Sequence, residues 1–258
     1  MGQIRVSNSK APWSDETLLD EVRNQVLPAM HKQGPVVAWI VDDTGFPKKG
    51  THSVGVARQY CGQVGKQDNC RVAVSLSVAT WNSSLPIAYR LYLPKEWAED
   101  SKRRKETEVP KEVEFQTKPE IALDQVRAAC AANLDRGVVL ADAAYGINTE
   151  FRDGLTELNL QYVVGVQSSM TVWEPGKQPM PAKPRGRLGR PPRLLQRTTD
   201  HQPVSVRQLA MNLSSTALQE MTWREGTDRK LRSALPPFAY AQPIGITRKP
   251  NLTRRNGC

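Results

Sequence analysis

Two short apolar segments, each followed by aspartate, constrain the fold of this chain more than any other feature. Residues 36–41 are all apolar and precede Asp42 and Asp43, and residues 137–141 form a similar run before Asp142. Such short runs, apolar on both faces, are typical of strands buried in the middle of a sheet. If these strands are parallel neighbours, their carboxylates emerge at one edge, where α/β proteins commonly bind ligands.

The rest of the apolar pattern predicts a mixed order of helices and strands. Predicted helices cover residues 13–30, 119–134 and 149–158, and further strands cover residues 71–80, 86–93 and 162–166. Residues 95–118 carry charges of both signs, which favours a solvated excursion. Strands followed by alternating helices and strands indicate an α/β fold with a mixed sheet and flanking helices.

The positive charge is concentrated in the last third of the chain. Lys and Arg number 36 against 26 Asp and Glu, a net charge of +10. Residues 1–174 hold 20 basic and 22 acidic side chains, whereas residues 175–258 hold 16 and 4. Residues 175–197 contain six prolines, seven basic residues and no acid, which predicts an extended linker or arm. The sequence therefore predicts an irregular basic C-terminal extension after a nearly neutral core.

Composition excludes several classes of protein. No apolar run approaches the ~18 residues that cross a bilayer, and residues 1–10 lack the apolar core of a signal peptide. We therefore expect a cytoplasmic protein without a membrane partner. The four cysteines and three histidines are scattered, with no Cys-x-x-Cys pair, so we expect reduced thiols and no zinc site.

The aspartates at the strand ends admit two interpretations. Close carboxylates repel one another, and Mg²⁺ relieves this repulsion because it binds one or two carboxylates together with substrate phosphates. Two such ions can activate a water and stabilise the leaving oxygen in phosphodiester cleavage. Alternatively, aspartate after a strand is a common turn residue that hydrogen-bonds to its own backbone. The pattern alone leaves both interpretations open.

Three segments of the sequence resemble the DDE-type transposases of bacterial insertion sequences. The segments are WIVDDTGFPKKG (residues 39–50), HSVGVARQYCG (residues 52–62) and VLADAAYG (residues 139–146). The resemblance is dense over residues 12–173 and looser to residue 226. It implies an RNase-H-like catalytic core, dependence on Mg²⁺ or Mn²⁺, and cutting and joining of DNA at transposon ends.

The resemblance also implies which acids bind the metal. It assigns the first two catalytic, metal-binding positions to Asp43 and Asp142, with Asp42 as a neighbour on the other face because side chains alternate along a strand. The family's third acid is a Glu on a later helix, and nothing after Gly226 matches that setting; Glu225 stands in a different string. We therefore expect a chain truncated at both ends that cleaves DNA little or not at all.

Two basic segments are candidate DNA contacts. Lys48, Lys49 and Arg58 follow the first carboxylates, and neutralising phosphate supplies most affinity that is independent of sequence. A solvated basic loop is the alternative. A second set lies around a Gly-Arg-Pro centre that could enter a narrow minor groove, with a flexible linker as the alternative; it comprises Arg185, Arg187 and Arg190.

These observations predict the following organisation and function. The expected segments are an N-terminal helical segment (1–34), an incomplete RNase-H-like core (35–173), a basic Pro-rich linker (174–200), a partial insertion (201–234) and a disordered or frameshifted tail (235–258). The expected function is that of an insertion-sequence transposase fragment, acting on transposon ends at the bacterial nucleoid, as a homo-oligomer or with an intact transposase copy. The alternatives are a non-catalytic DNA-binding remnant that interferes with an intact transposase, a phosphohydrolase for small phosphate esters, and a product that does not fold stably.

Overall fold

The computed structural model describes residues 14–174 continuously, together with shorter stretches of the remaining chain. These stretches are residues 176–177, 180–182, 195–196, 198, 200–214, 216, 219–225 and 230–235. The chain divides into two compact units, with the boundary between Val166 and Gln167. The segment boundaries given above remain predictions.

Helices and strands follow one another in a mixed order along the described residues. The helices are α1 (Asp15–Gln33), α2 (Lys95–Glu99), α3 (Ser101–Glu106), α4 (Lys118–Ala131), α5 (Ala143–Gly146), α6 (Thr149–Glu157) and α7 (Val206–Met211). The strands are β1 (Ala38–Pro47), β2 (Ala57–Cys61), β3 (Lys66–Ala79), β4 (Ser84–Leu91), β5 (Val138–Ala141), β6 (Tyr162–Val164), β7 (Thr171–Val172), β8 (Met180–Ala182), β9 (Leu195–Gln196), β10 (Val204–Ser205), β11 (Gln219–Glu225) and β12 (Lys230–Leu235). No helix in the described part of the chain is long and apolar enough to cross a membrane.

A six-stranded mixed sheet forms the centre of the first unit. Its order is β2-β3-β1-β5-β6, and β4 also pairs with β3. Strands β1, β5 and β6 are parallel to one another, whereas β3 is antiparallel to β1, β2 and β4. The main core combines buried residues of the sheet with residues of the helices around it; its largest members include Trp39, Leu76, Ile121, Tyr145, Phe151 and Leu155. The predicted α/β class, a mixed sheet with flanking helices, is confirmed.

The second unit contains short antiparallel pairs among its described residues. Strand β7 pairs with β10, β8 with β9, and β11 with β12. Ser205 caps α7 by accepting a hydrogen bond from the backbone N–H of Gln208 (3.1 Å).

Strand β1 is longer than the sequence predicts. The apolar run ends at Val41, but β1 continues through Asp42 and Asp43 to Pro47. The reason is the neighbouring strand β3, which pairs with β1 at every position from Ala38 to Pro47. Tertiary pairing thus overrides the weak strand preference of the Asp-Asp-Thr-Gly sequence. Strand β2, which the sequence analysis did not predict, forms a hairpin with the first part of β3.

The charged segment between residues 95 and 118 is mostly exposed, as predicted, but it is also folded, because it contains α2, α3 and three buried residues. Trp97 is fully buried and packs in a small apolar cluster with Val56, Val109 and Val113. Its indole N–H donates to the Val56 carbonyl (2.7 Å). Arg104 donates to four backbone carbonyls of the same segment, those of Ala98 (3.1 Å), Pro110 (2.8 Å), Lys111 (3.4 Å) and Val113 (2.8 Å). The few apolar residues here follow no regular period, so periodicity cannot reveal them.

The cysteines of the described region are free thiols. Cys61 and Cys70 are buried and Cys130 is half-buried. Burial, followed by the neighbouring Cys61, raises the pKa of the Cys70 thiol to about 11, so this thiol is protonated at neutral pH. The expectation of reduced packing residues is confirmed for these three, and Cys258 lies outside the described residues.

A close backbone contact fixes the turn that follows Asp142. A Cβ on Gly146 would lie 1.9 Å from the Gly165 carbonyl oxygen, whereas a Cβ on Gly62 would meet nothing within 4 Å. We expect Gly146→Ala to lower the free energy of unfolding by about 1–3 kcal/mol, because two backbone segments must separate. Urea unfolding measures this change, with Gly62→Ala as the matched control. Equal stability of the two variants would contradict the contact.

Candidate active site

The parallel pairing of β1 and β5 brings the predicted acidic residues to one edge of the sheet. Their register runs from Ala38 opposite Val138 to Val41 opposite Ala141; the next residues are Asp42 and Asp142, and Asp43 lies one position further along β1. The expectation of parallel neighbouring strands is therefore confirmed. Asp142 directly follows β5 and is the N-cap of α5, whereas Asp42 and Asp43 are part of β1.

Asp43 contacts two side chains from different helices. The Lys118 ammonium lies 2.5 Å from Asp43 Oδ2, and the Tyr145 hydroxyl donates a hydrogen bond to Oδ1. The side chains of Asp43 and Lys118 are each 26% exposed, so the ion pair is neither buried nor fully solvated. Both carboxylate oxygens of Asp43 therefore have a partner in the protein.

Asp42 and Asp142 are more exposed than Asp43 and bond to nearby backbone. Asp42 Oδ1 accepts from the N–H of Asp43 (2.7 Å), and Asp142 Oδ1 accepts from the N–H of Ala144 (2.9 Å). Asp142 thus makes the local turn contact that the alternative interpretation predicts. A carboxylate has two oxygens and about four lone-pair sites, so this contact is compatible with a second ligand.

Tyr145 joins the three aspartates electrostatically. Its side chain is 1% exposed, and its ring packs on Phe151 with ring centres 5.8 Å apart. Burial raises the pKa of Tyr145 far above its ordinary value, and Asp43 raises it further, followed by smaller effects of Asp142 and Asp42. The hydroxyl therefore remains a hydrogen-bond donor to Asp43, and all three carboxylates lie within electrostatic range of it.

The position of Tyr145 is set by the structure around α5. The buried guanidinium of Arg152 donates to the Gly146 carbonyl and also reaches the Thr149 hydroxyl (3.2 Å). Burial lowers the pKa of Arg152. Together with the contact between Gly146 and Gly165, this bond holds the segment that carries both Asp142 and Tyr145.

Lys118 occupies the first position of α4. Thr117 caps the helix and forms a capping box with Glu120, and Pro119 lies in the first turn as the sequence predicts. A cation is unfavourable at this end of a helix, because the macrodipole is positive there. The favourable contacts of Lys118 are instead Asp43 and the face of Tyr92, whose ring centre is 5.6 Å from the ammonium.

The oxygen ligands at this edge are of the type that Mg²⁺ and Mn²⁺ prefer. The described residues contain no cluster of three or more His, Cys, Asp or Glu arranged to hold a metal ion. Mg²⁺ commonly uses one or two carboxylates and takes its other ligands from water and phosphate, so Asp43 and Asp142 fit it by donor chemistry. The Lys118 ammonium contacts Asp43 Oδ2, one of the carboxylate oxygens that would be available to such an ion.

Two of the predicted basic residues, Lys48 and Lys49, directly follow β1, and the third, Arg58, lies on β2. The side-chain amide of Asn69 donates to the backbone carbonyls of Lys48 and Gly50 (2.7 Å each). The backbone carbonyl of Asn69 accepts from the Lys48 N–H (2.9 Å). Arg58 on β2 stands opposite Asn69 in the antiparallel register. Lys48, Lys49 and Arg58 are all exposed. We call these three residues, which lie around Asn69, the basic loop.

The basic loop is separated from the aspartates. Lys48 follows Asp43 by five residues, which corresponds to about 16 Å along the strand at a rise of ~3.3 Å per residue. The predicted minor-groove residues lie outside the described residues; they are Arg185, Arg187 and Arg190.

Sequence reasoning missed three residues of this region: Lys118, Tyr145 and Asn69. Tyr145 belongs to the VLADAAYG segment, but nothing in the pattern assigns it a role. Lys118 belongs to a Thr-Lys-Pro-Glu sequence whose visible signal is a helix start. Asn69 contacts a loop that precedes it by about 20 residues, a contact that no short-range pattern reveals.

Comparison with known proteins agrees with this geometry. The family model described as DDE superfamily endonuclease matches residues 5–230. A probable transposase for insertion sequence element IS701 from Microchaete diplosiphon is 32% identical over 160 residues, which is 62% of this chain and 39% of that relative. The chain thus spans well under half of the relative's length. No solved structure matches. With a family match over most of its length, the chain belongs to the DDE superfamily endonucleases.

Proposed function

We propose that this chain supplies the catalytic core of an insertion-sequence transposase, which cuts and joins DNA at transposon ends with the help of a divalent cation. The observation that carries this proposal is the parallel register, which brings Asp142 to the same sheet edge as the Asp42-Asp43 pair. Family membership and the similarity to the IS701 transposase support the same reaction class. Its DNA substrate would place the protein at the bacterial nucleoid.

Asp43 and Asp142 would hold the cation, Mg²⁺ or Mn²⁺. When bound, the ion would supply activation of the attacking oxygen and stabilisation of the leaving oxygen. The protein itself fixes the two carboxylates, one on a strand that β3 supports and one on the turn that Gly146 and Arg152 hold. Tyr145 orients Asp43 through its hydroxyl.

The basic loop would bind the DNA backbone. Asn69 holds the backbone of residues 48–50, and Arg58 stands opposite Asn69 on β2, whereas residues 1–174 as a whole are nearly neutral. A cluster of this kind positions a nucleic acid without reading its sequence.

A second candidate is a DNA-binding protein that does not cleave and interferes with an intact transposase copy. The observation that favours it is that both oxygens of Asp43 are engaged by Lys118 and Tyr145. In this case the basic loop still binds DNA, but Asp43 does not bind a cation. Metal-binding measurements separate the two candidates.

Removing either carboxylate is expected to weaken metal binding. We expect Asp43→Asn and Asp142→Asn each to weaken Mn²⁺ binding by about tenfold or more, because each removes a charged oxygen ligand and tenfold corresponds to about 1.4 kcal/mol. Titration of free Mn²⁺ by electron paramagnetic resonance measures this. Asp20→Asn on α1, which removes an exposed carboxylate paired with Arg23, is the control and should change nothing. Equal affinity in all variants would favour the second candidate.

Neutralising the basic loop is expected to weaken DNA binding at every sequence. We expect the triple variant Lys48→Gln, Lys49→Gln, Arg58→Gln to reduce the slope of log K against log salt by about 2–3, at ~0.9 per phosphate contact. Fluorescence anisotropy with duplex DNA at several salt concentrations measures the slope. The control removes three exposed lysines of α2 and α3 by the same substitution: Lys95, Lys102 and Lys105. Equal reductions of the slope in both triple variants would show that the effect depends on net charge alone and contradict a specific role of the basic loop.

Strand cleavage by this chain alone is expected to be weak. The resemblance supplies two of the family's three acids, and two carboxylates hold a second ion poorly. The measurement is Mg²⁺- or Mn²⁺-dependent nicking of transposon-end DNA, with Asp43→Ala as the control for contaminating nuclease. Robust nicking that Asp43→Ala abolishes would show that the third acid is supplied by a residue the resemblance does not identify.

A further inference from the structure

Lys118 is not explained by the helix on which it stands. The capping box of Thr117 and Glu120 satisfies the start of α4, and Pro119 suits its first turn. A cation at this position opposes the helix dipole. The residue is therefore accounted for by its contact with Asp43, which lies 75 residues earlier in the chain.

The contact with Asp43 competes directly with metal binding. A divalent cation needs the lone pairs of a carboxylate oxygen, and the Lys118 ammonium lies 2.5 Å from Oδ2. The other oxygen, Oδ1, accepts the hydrogen bond of Tyr145. A cation bound to Asp43 would repel the ammonium that lies 2.5 Å from Oδ2, so its binding favours the movement of Lys118 away from this oxygen.

The two partners of Asp43 differ in their freedom to move. Tyr145 is buried, its ring packs on Phe151, and the α5 segment is held by Arg152. Lys118 has a flexible four-carbon stem, and its side chain is 26% exposed beside the ring of Tyr92. Lys118 is therefore the partner that can leave Asp43 without disturbing the core.

We propose that Lys118 is a positioning residue that couples metal binding to DNA binding. Its ammonium neutralises Asp43 until a divalent cation replaces it at Oδ2, and it then pairs with a DNA phosphate. The ion pair lowers the affinity of the free protein for the cation, and a phosphate that receives Lys118 raises it. Coupling of this kind is reciprocal, so the cation strengthens DNA binding by the same factor. This inference rests on the proposed metal site of Asp43 and Asp142.

The test compares Mn²⁺ binding by the full chain and by Lys118→Met, which keeps the length of the side chain and removes its charge. We expect Lys118→Met to bind Mn²⁺ about fivefold more tightly in the absence of DNA, because no ammonium has to be displaced. We expect added duplex DNA to tighten Mn²⁺ binding by the wild-type chain more than by the variant. Lys118→Arg, which retains the charge, should behave like the wild type. If Lys118→Met does not fold, Lys118→Gln takes its place, since its amide can still donate to Asp43.

The control is Lys95→Met, which removes an exposed lysine paired with Glu99 at 3.6 Å and should leave Mn²⁺ binding unchanged. If Lys118→Met binds Mn²⁺ no more tightly than the wild type, while wild-type binding still requires Asp43 and Asp142, the role of Lys118 is overturned and the proposed metal site stands. If Mn²⁺ binding by the wild type does not depend on Asp43 and Asp142, the proposed function itself fails. A merely structural lysine would lower stability without tightening Mn²⁺ binding, so this readout separates the two roles.

Discussion

The parallel register between β1 and β5 is the constraint on which the candidate site depends. It places Val41 beside Ala141, so the acids that come after these two residues lie at one edge of the sheet. The two sides of this edge are built differently. Strand β3 pairs with β1 as far as Pro47, whereas β5 ends before Asp142, which begins α5 as its N-cap. One acid therefore belongs to a continuous strand, and the other begins a turn whose position depends on side chains and on close backbone packing.

This asymmetry explains why the region around α5 contains so many specific contacts. A turn at a sheet edge lacks the backbone hydrogen bonds that a strand makes with its neighbours, so other contacts must fix its position. Gly146 and Gly165 allow two backbone segments to meet, and the buried Arg152 bonds to the Gly146 carbonyl. Tyr145 then joins the turn to β1 by donating to Asp43. Contacts between the turn and the strand thus fix the positions of Asp43 and Asp142 relative to each other.

Much of the fold and part of the site could be predicted from the sequence. Apolar runs followed by acids indicate β5 and the start of β1, whereas their parallel pairing, which the sequence left as a condition, is shown by the structure. The extension of β1 could not be predicted, because Asp-Asp-Thr-Gly is a poor strand sequence that only the ladder with β3 makes extended. The pair of Lys118 and Asp43 was equally hidden, since local signals explain Lys118 as part of a helix start. Patterns along the chain report local structure, whereas this ion pair depends on where α4 packs.

The location of the basic charge matters more for the proposed function than its total. The surplus of the whole chain, +10, belongs to residues 175–258, because residues 1–174 hold 20 basic and 22 acidic side chains. Any affinity of the first unit for DNA must therefore come from local clustering, as in the basic loop around Asn69. Lys48 of the loop directly follows β1 and lies about 16 Å along the chain from Asp43, which is roughly five nucleotides at ~3.4 Å per nucleotide of one DNA strand. On the proposed function, β1 sets the spacing between the phosphates that the loop holds and the phosphate that reaches the carboxylates. Lys118, which contacts Asp43 directly, is then the described cation placed to meet that last phosphate.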